Sequence, residues 1–134
     1  MSSEINDIVR IFDEVVKDIL KKRNIRSILI LARGTSDNAA HFLKYLIETQ
    51  IGLPVGLTSP SVVSIYNAKL LYDHTLVIAI SQSGRSPDLI KYAEAAKLAS
   101  AMLISMTNDP TSPIAKLSDF HIYLQAGPEL SVAA

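Results

Sequence analysis

The sequence has no cysteine and no tryptophan, and aromatic residues make up only 6% of its 134 residues. Without cysteine there is no disulfide, no zinc thiolate site, no thiol redox chemistry and no cysteine nucleophile. The three histidines stand at 41, 74 and 121, with no metal-ligand spacing among them. No metal and no cofactor are therefore expected. No apolar run approaches the roughly 18 residues that a membrane helix requires. The opening MSSEIND lacks the charged and apolar regions of a signal peptide. The expectation is a soluble, cytoplasmic protein with no membrane partner. An excess of charge of one sign is also missing, because 13 Lys and Arg balance 13 Asp and Glu. That balance argues against a nucleic-acid surface.

What is present is mostly apolar. Hydrophobic residues form 49% of the chain and charged residues 19%, which is globular rather than disordered composition. The length suits one domain, 1–134, with a core of its own. Ile5, Ile8, Val9, Phe12, Val15, Val16, Ile19 and Leu20 recur at helical spacing, so 1–24 reads as an amphipathic N-terminal helix, with Lys21, Lys22 and Arg23 at the negative end of its dipole. The run SILILA at 27–32 lacks alternation and suits a strand covered on both faces.

A helix is predicted over Asp37 to Thr49, capped by Thr35 or Ser36, and a short strand over Pro54 to Leu57. Ser59-Pro60 opens a short helix to about Asn67, and TLVIAI at 75–80 is the third strand. Ser86-Pro87-Asp88 starts a helix running to about Ser100, and Ala101 to Thr107 is the fourth strand. Ser112-Pro113 caps a short helix, Phe120 to Leu124 is the fifth strand, and a last, incomplete helix begins near Glu129. Strands alternating with helices imply right-handed βαβ units. The fold class is α/β, a three-layer αβα sandwich around a five-stranded parallel sheet in the flavodoxin-like order 2-1-3-4-5.

In that order strands 1 and 3 are neighbours, and a crevice opens beyond their carboxyl ends. Two hydroxyl-rich loops fall there. The first supplies Gly34, Thr35 and Ser36; the second supplies Ser81, Gln82, Ser83, Gly84 and Ser86. Each leads into a helix N-terminus, where unpaired N–H groups and a partial positive charge favour an anion. Glycine admits a close ligand, and Ser and Thr hydroxyls donate to phosphate oxygens. Capping and turn chemistry account for either loop alone; the two together point to a phosphomonoester. A P-loop would need Gly-Lys-Ser/Thr, and a dinucleotide fingerprint three spaced glycines. Arg33 and Arg85 either meet the phosphate or face solvent. His74 and His121 read as structural, the latter at the amino end of the fifth strand, and His41 as a packed or solvated helix residue.

GTS at 34–36, SQSGRS at 81–86 and GPELSVAA at 127–134 resemble the sugar isomerase (SIS) domain, particularly the N-terminal module of the glucosamine-6-phosphate synthase isomerase region and glucosamine-6-phosphate deaminases. The similarity runs from about Ile28 to the end of the chain. The resemblance implies that Thr35, Ser36, Ser81, Gln82, Ser83 and Ser86 hold a sugar phosphate and that Glu129 lies beside the sugar as the catalytic acid or base. It also implies a small-molecule partner, a hexose 6-phosphate, and packing as a homodimer or against a second SIS module. The glutaminase of the synthases is built around a cysteine, so glutamine-dependent amide transfer is not expected of this polypeptide. Aldose-ketose isomerisation, amino-sugar-phosphate deamination and non-catalytic sensing of a sugar phosphate remain. A flavodoxin-like FMN carrier is the rival outside the family, disfavoured by the missing tryptophan and the long first helix.

Overall fold

The computed structural model describes residues 10, 14, 17–21, 24–32, 36–60 and 71–123. The order of elements is β1 (Ser27–Leu31), α1 (Ser36–Gln50), β2 (Val55–Thr58), β3 (Thr75–Ile80), α2 (Pro87–Leu98), β4 (Met102–Thr107), α3 (Pro113–Leu117) and β5 (Phe120–Tyr123). All strand pairs are parallel, and the order across the sheet is β2-β1-β3-β4-β5. This is the α/β architecture expected. Among the described residues of 1–24, 10, 14 and 17–21 are helical. The short helix expected after Pro60 and the final helix lie outside the described residues.

The sheet is central because its strands are apolar on both faces, as a parallel sheet between two helical layers must be. Every residue of β3 is buried. Its even-numbered side chains Leu76, Ile78 and Ile80 join Ile28, Ile30, Ile104 and Ile122 under Ala40, Leu43 and Ile47 of α1 and Ile19 of the N-terminal segment. The odd-numbered Val77 and Ala79 join Leu31 and Leu103 under Leu89, Tyr92, Ala93 and Ala96 of α2 and Ile114 of α3. One residue of register slip would turn every side chain to the wrong layer. The two apolar sets therefore fix the pairing.

On the α2 face the buried Tyr92 hydroxyl meets Thr58 Oγ1 at 3.2 Å and the Tyr72 hydroxyl. These bonds satisfy the one polar atom of a fully buried ring and tie the end of β2 to α2. Burial, then the Tyr92 hydroxyl, raise the Tyr72 phenol well above the ordinary tyrosine range. The sheet ends in a second tie. Asp119 accepts from the Leu103 N–H at 2.9 Å and its own N–H donates to the Leu103 carbonyl at 2.8 Å.

Most boundaries fall within a residue of expectation, and two features differ by more. The helix predicted to reach Ser100 stops at Leu98, because Ser100 takes φ 71° and the Ala101 N–H turns back to the Ala96 carbonyl at 3.0 Å. His121 is not at the amino end of the sheet. β5 is short and begins opposite Ile104, the third residue of β4, so His121 reaches Thr107 at the carboxyl end, with Nε2 to Oγ1 at 2.9 Å.

Candidate functional site

The chain passes from β1 outward to β2, returns across β1 to β3, and then builds β4 and β5 on the other side. The reversal lies between β1 and β3, and ligands of open α/β sheets bind beyond the carboxyl ends at such a point. Ser36 opens α1 just after β1, and 81–86 joins β3 to α2. Gly34, Thr35 and Glu129 lie outside the described residues.

The second loop is organised by its own backbone. Ser81 is buried, and its Oγ accepts from the Gly84 N–H at 2.9 Å. Ser83 Oγ accepts from the Arg85 N–H at 3.2 Å. A hydroxyl that accepts in this way retains a proton to donate, and both serines lie in the loop that leads into the α2 N-terminus. Gln82 and Ser83 are exposed, open to a ligand.

Ser86 behaves otherwise. It is the N-cap residue of α2 by backbone conformation, but its side chain makes no cap hydrogen bond. Its Oγ donates instead to Asp88 Oδ1 at 2.5 Å, which also accepts from the Leu89 N–H at 3.0 Å.

Gly84 has a structural requirement independent of any ligand. Its φ is +67°, a conformation that residues with a Cβ rarely adopt, and a Cβ there would stand 2.2 Å from Ser112 Oγ and 2.6 Å from Ser112 Cβ. Ser112 is itself buried and caps α3, accepting from the Ala115 N–H at 3.3 Å. Glycine thus lets the loop lie directly on the start of α3.

That contact belongs to a wider support, which the sequence reading did not find. The turn between β4 and α3 holds the loop along its length: Asn108 N–H donates to the Gln82 carbonyl at 3.0 Å and Ile114 N–H to the Gly84 carbonyl at 3.3 Å. The Arg85 guanidinium meets Asp109 Oδ2 at 2.5 Å, so Arg85 is paired rather than simply solvated. Asp109 Oδ1 accepts from Thr111, N–H at 2.9 Å and hydroxyl at 2.6 Å. These Thr111 bonds, with Arg85 adding to them, hold the Asp109 carboxyl down at about 2.

Behind the turn, Thr107 Oγ1 donates to the Asp109 carbonyl at 2.9 Å and accepts from the Asp109 N–H at 3.1 Å. With its one proton so used, it takes a proton from His121 Nε2. Burial holds His121 below the ordinary imidazole value, so the neutral ring is favoured. Among the described residues no three His, Asp or Glu gather as a metal site. No helix among them is long and apolar enough to cross a membrane.

The SIS domain model matches residues 20–134. Glutamine--fructose-6-phosphate aminotransferase (isomerizing) of Symbiobacterium thermophilum is 34% identical over 121 residues, 90% of this chain and 20% of the relative. That of Mycolicibacterium smegmatis is 38% identical over 112 residues, 84% of this chain and 18% of the relative. The chain thus spans about a fifth of the curated relatives it matches.

Among solved structures, a protein described as a phosphosugar isomerase from Silicibacter pomeroyi superposes with a TM-score of 0.78 at 38% identity, covering 96% of this chain and 38% of that one. The C-terminal domain of glucosamine-fructose-6-phosphate aminotransferase from Francisella tularensis gives 0.72 at 28% identity, covering 86% and 32%. With the sheet order and the match over 20–134 in agreement, the chain belongs to the SIS domain family.

Proposed function

We propose that the chain is the phosphosugar-binding module of an aldose-ketose isomerase or amino-sugar-phosphate deaminase acting on a hexose 6-phosphate. The observation that supports this is the pair Ser81 and Ser83, each of whose hydroxyls accepts one loop N–H and keeps its proton to donate. A phosphomonoester on this loop would receive those protons, the Gln82 amide and the partial positive charge of α2. Gly34, Thr35 and Ser36 complete the anchor from the loop after β1. Ser86 serves from behind by fixing Asp88 at the start of α2.

Glu129 is the acid or base of this reading. Isomerisation moves a proton between C1 and C2 through an enediol, and a carboxylate suits both removal and return. The partner is a small molecule, and the module packs against a second SIS module or a second copy of itself in the cytoplasm.

The test is turnover of fructose 6-phosphate and release of ammonia from glucosamine 6-phosphate by the chain and by Glu129→Gln. Loss of turnover with retained binding in the variant supports the catalytic role. Binding without turnover in the unaltered chain would replace the catalytic reading by a sensing one, and absence of binding would end both.

A further inference from the structure

We infer that Arg85 and Asp109 form a positioning pair for the anion loop, fixing the Ser83 hydroxyl toward the ligand rather than binding the phosphate themselves. The inference rests on the reading of 81–86 as a sugar-phosphate anchor, and it concerns the one cationic side chain inside that loop.

Proximity in sequence suggests that Arg85 takes the phosphate. The geometry assigns its charge elsewhere. Its guanidinium lies 2.5 Å from Asp109 Oδ2, while its backbone N–H donates to Ser83 Oγ at 3.2 Å. One residue is thus held at its far end by the β4–α3 turn and holds the ligand-facing serine with its near end.

The turn is itself fastened. Asp109 Oδ1 receives both donors of Thr111, its N–H goes to Thr107 Oγ1 and its carbonyl accepts from the same hydroxyl. Asp109 stays ionised down to about pH 2, so Arg85 keeps its partner at any physiological pH.

An isolated exposed ion pair contributes little. This one closes a ring running from Ser83 through Arg85, Asp109 and Asn108 back to the Gln82 carbonyl. Opening the ring frees the Arg85 backbone, and with it the direction in which Ser83 points.

The two roles for Arg85 predict opposite signs at Asp109. If Asp109 positions Arg85, Asp109→Ala weakens binding of fructose 6-phosphate by about fivefold, Arg85→Ala does the same, and the double variant is little worse than either. Arg85→Lys, which keeps a cation for Asp109, recovers part of the loss. If Arg85 were a phosphate ligand sequestered by Asp109, Asp109→Ala would tighten binding and Arg85→Ala would cost far more. That pattern in calorimetry overturns the inference.

Amide hydrogen exchange gives an arm that needs no ligand. Both single variants are expected to speed exchange at Gly84 and Arg85 by about fivefold, with Val77 and Ala79 of β3 unchanged. Should fructose 6-phosphate fail to bind the unaltered chain, the sugar-phosphate reading fails and exchange still decides the pair. Unchanged protection at Gly84 and Arg85 would refute it.

Discussion

Replacing Gly84 by Ala tests whether the loop is shaped by α3 or only by its ligand. The new Cβ would lie 2.2 Å from Ser112 Oγ, 2.6 Å from Ser112 Cβ and 3.2 Å from Thr107 Cγ2. Ser112 is fully buried and committed to capping α3, so it has little freedom to withdraw. Overpacking of this kind costs about 1–3 kcal/mol, and a Cβ at φ +67° adds about 1 kcal/mol of backbone strain. The expected loss is therefore about 2–4 kcal/mol. For 134 residues the unfolding entropy is about 0.28 kcal/mol per kelvin, so Tm should fall by about 7–14 °C in ligand-free buffer. Thermal unfolding followed by circular dichroism measures it. Ser112→Gly in the Gly84→Ala background removes both clashing atoms at a cap cost of a few tenths of a kcal/mol but leaves the backbone strain, and should return about half of the lost Tm. A single variant within about 2 °C of the unaltered chain, or a double variant no better than the single, would refute the reasoning.

Two further outcomes are expected. Tyr92→Phe strands the Thr58 and Tyr72 hydroxyls that meet on it and should cost about 1–2 kcal/mol by urea unfolding; in the same variant, ultraviolet titration should show a Tyr72 phenol less strongly raised, since one of its causes is removed. Asp109 is depressed in the folded state from 3.8 to about 2, so the stability it contributes is present above about pH 3.8 and lost as pH falls through that window. Asp109→Asn should therefore flatten the dependence of Tm on pH between about 4 and 2, and an unchanged slope would count against the assignment.

The strands were legible because SILILA and TLVIAI are unbroken apolar runs, and a parallel sheet buries both faces of such runs. The Ser112 cap was legible too, since Ser-Pro states both the cap and the first helical turn. The end of α2 was not, because Ser100 takes a left-handed conformation that glycine usually announces. The bond from Ser86 Oγ to Asp88, two residues on, was not legible, because nothing in the local pattern announces it.

The contact of Gly84 with Ser112, 28 positions away in the sequence, was not legible. The support from Asn108 and Asp109 escaped for the same reason. Asn-Asp-Pro reads as a turn, and only the pairing of β3 with β4 brings that turn against the loop.

The account depends on hydroxyl donors receiving a monophosphate, and calorimetry of fructose 6-phosphate against the unaltered chain and the Ser36→Ala/Ser83→Ala variant tests this most directly. Each hydrogen bond to a charged oxygen contributes about 1.5–3 kcal/mol, so the double variant should lose at least about a hundredfold in affinity. Equal affinity in the two proteins would contradict the account.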